Sequence, residues 1–258
     1  MFTVTPIPAF NDNYIWALTS SAEPDAAVVV DPGDAAPVLQ WLAQEQKTLT
    51  AILITHHHHD HTGGVAALRE QQELKVYGPA NSPFDGITHP LQNGDTLELL
   101  GETLLIHEVP AHTRDHISYL QPGATPQLFC GDTLFLAGCG RLFEGTARQM
   151  LDAMTYFASL DDKTEVFCTH EYSLANLIFA AQVEPANTAI RQVEQHCQAL
   201  RQAHRPTLPS TIGQEKNINP FMRTGNADVI LAAEQFCGNP LPSEVEVLAA
   251  LREWKNRF

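Results

Sequence analysis

The sequence predicts a layered α/β domain followed by a small α-helical module. Three observations carry this prediction. The first two-thirds of the chain alternates short apolar runs with turn signals, whereas from about Tyr172 the pattern becomes helical. In addition, 44% of the 258 residues are hydrophobic and only 17% are charged, a composition that supports a substantial buried core.

Strands are predicted where a short apolar run stops at a turn or at a polar residue. The predicted strands cover residues 26–30, 51–55, 103–109, 128–130 and 166–169, and the predicted helices among them cover 35–46, 64–71 and 147–159. Because a rigid sheet positions the loops at the ends of its strands, we expect the chemistry of the protein in those loops.

The helical module is predicted from two amphipathic segments. Residues 186–203 place four apolar side chains on one helical face, and Ser243 stands three residues before Glu246, the spacing of a capping box that opens another helix. We therefore predict two domains, at residues 1–171 and 172–258.

Charge and cysteine usage exclude several classes of protein. The net charge of −15 argues against an extended nucleic-acid or anionic-membrane surface. The five cysteines are odd in number, widely spaced and without C-x-x-C pairing, so neither a disulfide framework nor a cysteine zinc site is indicated. The N-terminus lacks the pattern of a targeting signal, and no apolar stretch is long enough for a membrane span. We expect a cytoplasmic monomer with no obligate protein partner.

The run T-H-H-H-H-D-H at residues 55–61 predicts a metal site. His56 and His58 stand two apart in an extended segment and point the same way, whereas Asp60 and His61 fall where the chain turns into the next helix. The run thus offers two ligand pairs with different directions, as two adjacent metals require. Imidazole suits zinc, iron and other first-row metals, and a carboxylate can bridge two cations. A purification tag would be terminal and would not continue into Asp60 and His61.

Four ligands cannot fill two metal sites, so further ligands are expected at other strand ends. His112, Asp132 and His170 each follow a predicted strand. Taken alone, each is an ordinary polar loop residue, but beside the histidine run each is a candidate ligand. His57 and His59 should face away from His56 and His58, and are expected either to support the ligands from behind or to face solvent. The remaining histidines have no supporting pattern: His89, His107, His116, His196 and His204.

With these motifs the chain resembles the metallo-β-lactamase superfamily and, within it, the hydroxyacylglutathione hydrolase (glyoxalase II) family. The wider resemblance rests on T-H-H-H-H-D-H-T-G-G, P-A-H-T and F-C-G-D-T-L-F. The narrower one rests on P-A-F-N-D-N-Y-I-W near the N-terminus, G-C-G-R-L-F-E-G-T-A at 138–147, C-T-H-E-Y, and N-P-F-M-R at 219–223. Together these motifs cover nearly the whole chain.

The resemblance implies a fold and a set of metal ligands. The expected fold is a four-layer αββα sandwich at 1–171 followed by a small α-helical, glutathione-binding domain at 172–258. By position, His56, His58 and His112 would hold one divalent ion, Asp60, His61 and His170 a second ion, and Asp132 would bridge them. Zinc is the expected metal, with iron or manganese as alternatives.

The resemblance also implies a reaction. S-(2-hydroxyacyl)glutathione thioesters such as S-D-lactoylglutathione would be hydrolysed to glutathione and a 2-hydroxy acid, the second step of methylglyoxal detoxification. The nucleophile would be a hydroxide that bridges the two metals, with no catalytic residue beyond it and its ligands. Substrate contacts are implied at four residues: Arg141, Phe143, Tyr172 and Arg223.

The chain departs from the family pattern at three places. Ala111 replaces the usual glycine before the ligand histidine, and Phe143 stands where some members have tyrosine. No lysine follows closely after Arg223; Lys255 or Arg257 near the C-terminus are the candidates to replace it.

Other functions share parts of this pattern. A nuclease is disfavoured by the negative charge and by the lack of a basic arm, and a β-lactam hydrolase by the missing export signal and the helical tail. A glutathione persulfide dioxygenase with one iron and a lactonase remain alternatives, although N-P-F-M-R and the long tail favour the thioesterase. A purely structural zinc site closes four ligands around one ion, and here seven candidates are present.

Overall fold

A six-stranded mixed sheet begins at the N-terminus of the computed structural model, which describes all 258 residues. Its strands have the same order in space as in the chain: β1 (Thr3–Ala9), β2 (Asn13–Ser20), β3 (Glu23–Val30), β4 (Thr48–Leu53), β5 (Lys75–Pro79) and β6 (His89–Leu91). β1 to β3 pair antiparallel, and β3 to β6 pair parallel. Val28, Val29 and Val30 are all buried, as expected for a strand that is covered on both faces.

Helices between the parallel strands cover one face of this sheet. They are α1 (Ala35–Glu45), α2 (His59–Thr62) and α3 (Val65–Gln71). α1 begins at Asp34, whose side chain accepts a hydrogen bond from the Ala36 N–H. Val38 of α1 and Leu68 of α3 join Ile52 of β4 in one buried apolar cluster, so burial of these helix faces stabilises the sheet.

A second six-stranded sheet follows in the chain. It begins with β7 (Thr96–Leu99), β8 (Glu102–Glu108), β9 (Ile117–Gln121) and β10 (Gln127–Gly131). After these come a short hairpin of β11 (Leu134–Phe135) and β12 (Gly138–Cys139), helix α4 (Ala147–Ser159), and β13 (Glu165–Cys168), which lies beside β10. A two-residue strand, β14 (Ser210–Thr211), pairs with the first half of β13.

Polar contacts join the ends of strands from the two sheets. The Tyr119 hydroxyl of β9 donates to the Ile54 carbonyl at 2.7 Å, just after β4. Trp16 of β2 donates through Nε1 to the Cys168 carbonyl at 3.1 Å, and its ring meets the Phe167 ring edge-on at 5.1 Å. The loops that follow β4 and β13 therefore emerge on firmly held strand ends.

Helices make up the C-terminal part of the chain. They are α5 (Ser173–Val183), α6 (Thr188–Gln202), α7 (Ile212–Ile218), a 3₁₀ turn (Pro220–Met222), α8 (Ala227–Cys237) and α9 (Glu244–Arg257). The rings of Phe221 and Trp254 pack against Phe179 at centroid distances of 6.1 and 5.4 Å. None of the helices has the length and hydropathy needed to span a bilayer.

The chain forms two compact units. The first consists of Met1–Val109, Asp115–Gly131 and Phe167–His170, and the second of Pro110–Arg114, Asp132–Val166 and Glu171–Phe258. Both sheets lie largely in the first unit, and all helices from α4 onward lie in the second. The domain boundary at residues 171 and 172 stays a prediction.

Most predicted elements are present. The predicted helix 147–159 coincides with α4, and 186–203 corresponds to α6. The N-terminal hairpin was missed because Pro6 and Pro8 interrupt β1, which is tolerated because β1 is an edge strand that pairs only with β2. At Ser243 the hydroxyl accepts from the Glu246 N–H as expected, but the Glu246 carboxylate accepts from the hydroxyl rather than from the backbone.

Candidate metal centre

The histidine run occupies the loop between β4 and α2. His56 is buried, and the rings of His56 and His58 lie 4.7 Å apart by centroid. α2 begins at His59, which confirms that Asp60 and His61 stand on a first helical turn. The turn after β3 closes tightly on this helix. A Cβ atom at Gly33 would lie 1.9 Å from the Asp60 carbonyl oxygen, so only glycine fits there.

Asp60 lies at the centre of a cluster of potential ligands in the first unit. Its Oδ2 atom is 3.5 Å from His61 Nε2, 3.4 Å from His170 Nε2 and 3.1 Å from Asn13 Nδ2. The ligand atoms of Asp60, His61 and His170 all lie within 4.8 Å of one another. Burial acts to raise the pKa of the Asp60 carboxyl, but hydrogen bonds from His170, His61 and Asn13 and the charge of His61 outweigh it and hold the pKa well below its usual range. Asp60 is therefore a carboxylate at neutral pH.

Two carboxylates fix which ring nitrogen of His61 and His170 carries the proton. His61 Nδ1 donates to Asp31 Oδ2 at 2.9 Å, and His170 Nδ1 donates to Asp12 Oδ1 at 2.8 Å. Because an ionised carboxylate only accepts hydrogen bonds, Nδ1 keeps its proton and Nε2 is the nitrogen that a metal would bind. Both Nε2 atoms face Asp60. This pairing of carboxylate and histidine is the one found around metal-bound imidazoles.

The same logic extends to His56 through Thr55. The Thr55 hydroxyl donates to Asp31 Oδ2 at 2.7 Å, which uses its single proton. His56 Nδ1, 3.1 Å from that hydroxyl, must then be the donor, and Nε2 is again the nitrogen that a metal would bind. Asp31 also accepts the Thr55 N–H at 2.7 Å, has a backbone φ of 53°, and is 2% exposed. One buried carboxylate thus orients two of the candidate ligands.

In the second unit, His112 and Asp132 form another close pair of potential metal ligands. His112 Nε2 lies 3.5 Å from Asp132 Oδ2, and His112 Nδ1 donates to the Arg141 carbonyl at 2.9 Å. A Cβ atom at Gly140 would lie 2.0 Å from the Asp132 carbonyl, so glycine is required for this approach. Phe143 is 62% exposed, and its ring lies 5.2 Å from the His112 ring. The G-C-G-R-L-F stretch therefore shapes the surroundings of His112.

Three other histidines lie in or near the run, and two of them, His57 and His116, make side-chain contacts there. His57 Nδ1 donates to Asp115 at 2.8 Å, and His59 is exposed. His116, for which the sequence offered no pattern, is buried, stacks on the His56 ring at 4.6 Å and donates through Nδ1 to the Ile117 carbonyl.

The predicted substrate contacts beyond Arg141 and Phe143 lie among the C-terminal helices. Tyr172 is 38% exposed and packs edge-on against Phe135. Arg223 donates through Nε and Nη2 to the two carboxylate oxygens of Glu184, both at 2.8 Å, and through Nη1 to the Lys216 carbonyl at 3.0 Å. Whether Arg223 contacts substrate stays a prediction.

Of the two candidates to replace the missing lysine, Lys255 and Arg257 differ sharply. Arg257 is bound to Glu253 one turn away on the same helix. Lys255 donates to the Ala175 carbonyl at 3.1 Å and lies over the Phe179 ring. Burial, reinforced by the charge of Arg252, lowers the pKa of Lys255 to about 8.

Sequence reasoning missed three residues that orient the candidate ligands: Asp12, Asn13 and Asp31. Asp31 opens the turn D-P-G at the end of a predicted strand, and the other two stand within the N-terminal motif P-A-F-N-D-N-Y-I-W. An acidic residue at a strand end was therefore a usable signal for Asp31. The hydrogen bonds to Asp60 and His170 span 47 and 158 positions of sequence and leave no local trace.

The donor set fits divalent cations. It combines imidazoles whose tautomer presents Nε2 with ionised carboxylates, the ligand types that first-row divalent metals prefer.

Comparisons with known proteins agree with this arrangement. Residues 14–170 match the model of the metallo-β-lactamase superfamily, and residues 171–258 match that of the hydroxyacylglutathione hydrolase C-terminus. The chain is 49% identical to the protein named hydroxyacylglutathione hydrolase 2 of Vibrio vulnificus (strain YJ016), over 100% of both chains. It is 46% identical to the hydroxyacylglutathione hydrolase of Nitrosomonas europaea, over 100% of this chain and 97% of that protein.

The crystal structure of ETHE1 from Myxococcus xanthus is a structural relative. It superposes with a TM-score of 0.66 at 25% identity and covers 99% of this chain and 98% of its own. These matches confirm the predicted fold class, an αββα sandwich followed by a small helical domain. Together with the clusters of His and Asp, they indicate a dinuclear site for divalent metal ions.

Proposed function

Because the chain belongs to the hydroxyacylglutathione hydrolase family of the metallo-β-lactamase superfamily, we propose an account of how its residues hydrolyse S-(2-hydroxyacyl)glutathione thioesters. The enzyme is a metal-dependent thioester hydrolase of the glyoxalase II type. S-D-lactoylglutathione is the substrate that we propose, with glutathione and a 2-hydroxy acid as products. The single observation that supports this substrate most is the full-length identity to named hydroxyacylglutathione hydrolases.

We assign the seven predicted ligands to two metals. His56, His58 and His112 would hold the first metal, Asp60, His61 and His170 the second, and Asp132 would bridge them. Support comes from within each unit: Asp60, His61 and His170 cluster in the first, and His112 and Asp132 approach each other in the second. The bound divalent cations would supply an activated water at neutral pH and Lewis-acid polarisation of the thioester carbonyl. Zinc is our assignment, since imidazole dominates the set, and iron and manganese are the alternatives.

The side chains around the ligands keep the set in its binding form. Asp31 and Asp12 hold the Nδ1 protons of His61 and His170, so that neither ring has to reorient before its Nε2 atom binds a metal. Asp60 is ionised throughout the neutral range, as its hydrogen bonds require. Protein groups need not protonate the departing thiolate, because a thiol with a reference pKa of about 8.5 leaves readily as the anion.

Substrate contacts are proposed in two places. Arg141 and Phe143 flank His112 and are exposed, so they can contact the thioester end of the substrate. Tyr172, Arg223 and Lys255 are proposed for the glutathione end. Glutathione carries two carboxylates, and an ammonium group that is partly withdrawn from water, such as that of Lys255, is a suitable partner for one of them.

We place the enzyme in the cytoplasm. All five cysteines are free thiols, and four of them are buried. Free thiols are the state that a reducing compartment maintains.

The decisive experiment measures metal per chain together with hydrolysis of S-D-lactoylglutathione. Two metals per chain and rapid hydrolysis are expected, with no action on a phosphodiester, a β-lactam or glutathione persulfide. Asp132→Ala should lose the activity and one or both metals while it remains folded by circular dichroism. Asp25→Ala, a change of the same kind at an exposed position of β3, is the control. An active Asp132→Ala enzyme with unchanged metal content would contradict the bridging assignment.

A further inference from the structure

His57 stands between the two candidate ligands His56 and His58 in the sequence, and its side chain is hydrogen-bonded to Asp115, which is bound in turn by Ser82. We propose that His57, Asp115 and Ser82 form a positioning network that sets the geometry of the His56–His58 pair and thereby the affinity for the first metal. The proposal rests on the proposed function in that it takes these two histidines as ligands of one ion.

The network joins three separate segments of the first unit. His57 Nδ1 donates to Asp115 Oδ1 at 2.8 Å, and the Ser82 hydroxyl donates to Asp115 Oδ2 at 2.7 Å. Ser82 lies in the loop between β5 and β6, and Asp115 lies just before β9. The Asp115 side chain is 2% exposed and that of His57 is 21% exposed. Each oxygen of the buried carboxylate thus accepts from a different loop, which is a strong and directional arrangement.

The loop needs such an anchor because it lies outside regular structure. Residues 55–58 belong to neither β4 nor α2. The Thr55 carbonyl accepts from the Ile117 N–H and the His58 carbonyl accepts from the N–H groups at the start of α2, so His56 and His57 lie between two fixed points. His56 and His58 are the chain neighbours of His57, so a shift of the His57 backbone moves both of them. The rings also lie close together, with the His57 ring 5.0 Å from the His58 ring and 6.4 Å from the His56 ring.

The backbone is held on the other side of the same residue. Thr62 Oγ1 donates to the His58 carbonyl at 3.0 Å and lies 3.4 Å from the His57 carbonyl. With the ring bound by Asp115 and the His58 carbonyl bound by Thr62, rotation about the His57 backbone would break contacts on both sides. His57 is therefore a positioning residue.

The network acts on the pair of ligands that Asp12 and Asn13 do not touch. Asn13 donates to Asp60, and Asp12 accepts from His170. Loss of Asp115 should therefore weaken the binding of the first metal and leave the affinity for the second metal largely unchanged. This asymmetry distinguishes positioning from general support of the fold.

The test is a metal titration of the metal-free enzyme with zinc against a competing chelator, which yields two dissociation constants. Asp115→Asn keeps the shape of the side chain but removes the negative charge that strengthens the hydrogen bond from His57, and it replaces one of the two acceptor oxygens by a donor. We expect a weakening of the first constant of about 10-fold, the lower end of the effect of removing a hydrogen-bond partner from a ligand histidine itself, because Asp115 acts on the ligands through His57. The second constant should change less than about threefold. His59→Ala, at the exposed neighbouring histidine, is the control, and Ser82→Ala is the milder variant if Asp115→Asn fails to fold.

Two results would overturn the network. One is a pair of constants equal to those of the wild type, and the other is an equal weakening of both. A second readout needs no metal: the ¹⁵N shifts of the His56 and His58 rings in the metal-free enzyme should change in Asp115→Asn and stay the same in His59→Ala. Unchanged shifts in Asp115→Asn also refute the proposal. A wild-type enzyme that binds one ion or leaves S-D-lactoylglutathione intact would instead contradict the proposed function, and the ring shifts would still decide the network.

Discussion

The ion pair between Arg223 and Glu184 allows a prediction whose size follows from the structure. Arg223 was expected from its motif to contact substrate, but two of its guanidinium nitrogens donate to both oxygens of Glu184 at 2.8 Å. Glu184 is 4% exposed, and the Arg223 side chain is 20% exposed. Arg223→Ala would leave a buried carboxylate without its cation.

Breaking a buried pair in this way costs about 3–5 kcal/mol. Because the Arg223 side chain retains some contact with water, we expect the lower end, about 3 kcal/mol of unfolding free energy. Urea unfolding followed by fluorescence measures it. Arg148→Ala is the control: its ion pair with Asp152 is exposed, with a separation of 3.8 Å, and its loss should cost less than about 1 kcal/mol.

The double variant Arg223→Met, Glu184→Met should regain most of the loss, because neither charge is then buried alone. A cost below about 1 kcal/mol for Arg223→Ala would refute the ion-pair reasoning. The KM for S-D-lactoylglutathione, measured on the same protein, tests the substrate contact separately. A raised KM with unchanged kcat supports that contact, and an unchanged KM would remove Arg223 from the substrate site.

Three further predictions concern single side chains. Asp31→Asn should weaken the binding of both metals by about 10–100-fold in a chelator titration, because Asp31 orients His61 directly and His56 through Thr55. Equal metal affinities in the variant and the wild type would contradict this role. The KM of the wild type should rise above about pH 8 as Lys255 loses its proton, whereas Lys255→Met should show a high KM at every pH. Parallel pH profiles of KM in the two proteins would exclude a contact between Lys255 and substrate. Burial raises the pKa of Glu215 from 4.5 to about 7 despite three hydrogen bonds. Between these two pH values the carboxyl is protonated in the folded state and ionised in the unfolded state. The unfolding free energy should therefore fall by up to about 3 kcal/mol as the pH rises through this range. Glu215→Gln should remove this fall in urea unfolding at pH 5 and pH 8, and an identical fall in both proteins would show that another group is responsible.

The parts of the site that could be predicted from sequence are those that sit at the ends of recognisable strands. His56, His58, Asp60 and His61 belong to one short run, and its extended and helical halves follow from local spacing. The strand-end positions of His112, Asp132 and His170 are visible for the same reason. Local pattern and resemblance therefore suffice to predict candidate ligands and their places in the fold, but not the residues that hold them in position.

The rest depends on contacts that leave no local pattern. Asp31 acts through a left-handed backbone conformation and a side chain that reaches 24 residues to Thr55 and 30 residues to His61. The role of Arg223 could not be anticipated either, because Glu184 stands 39 positions earlier in a helix cap. Sequence spacing predicts neighbours along one element, and these partners meet only after several elements have packed.

The hydrogen bonds of Asp31 have a consequence for how the two proposed metal sites relate. One oxygen, Oδ2, accepts from both Thr55 and His61, so the orientation of His56 in the first site and of His61 in the second depends on the same atom. Asp12, by contrast, supports only His170, and Asp115 acts on the loop through His57. A shift of Asp31 on binding of one metal would therefore change the orientation of a ligand in the other site. A shift of Asp12 or Asp115 would change the ligands of one site only. Because Asp31 is 2% exposed and bound on both oxygens, it has little freedom to move, and it holds His56 and His61 in their orientations without a metal.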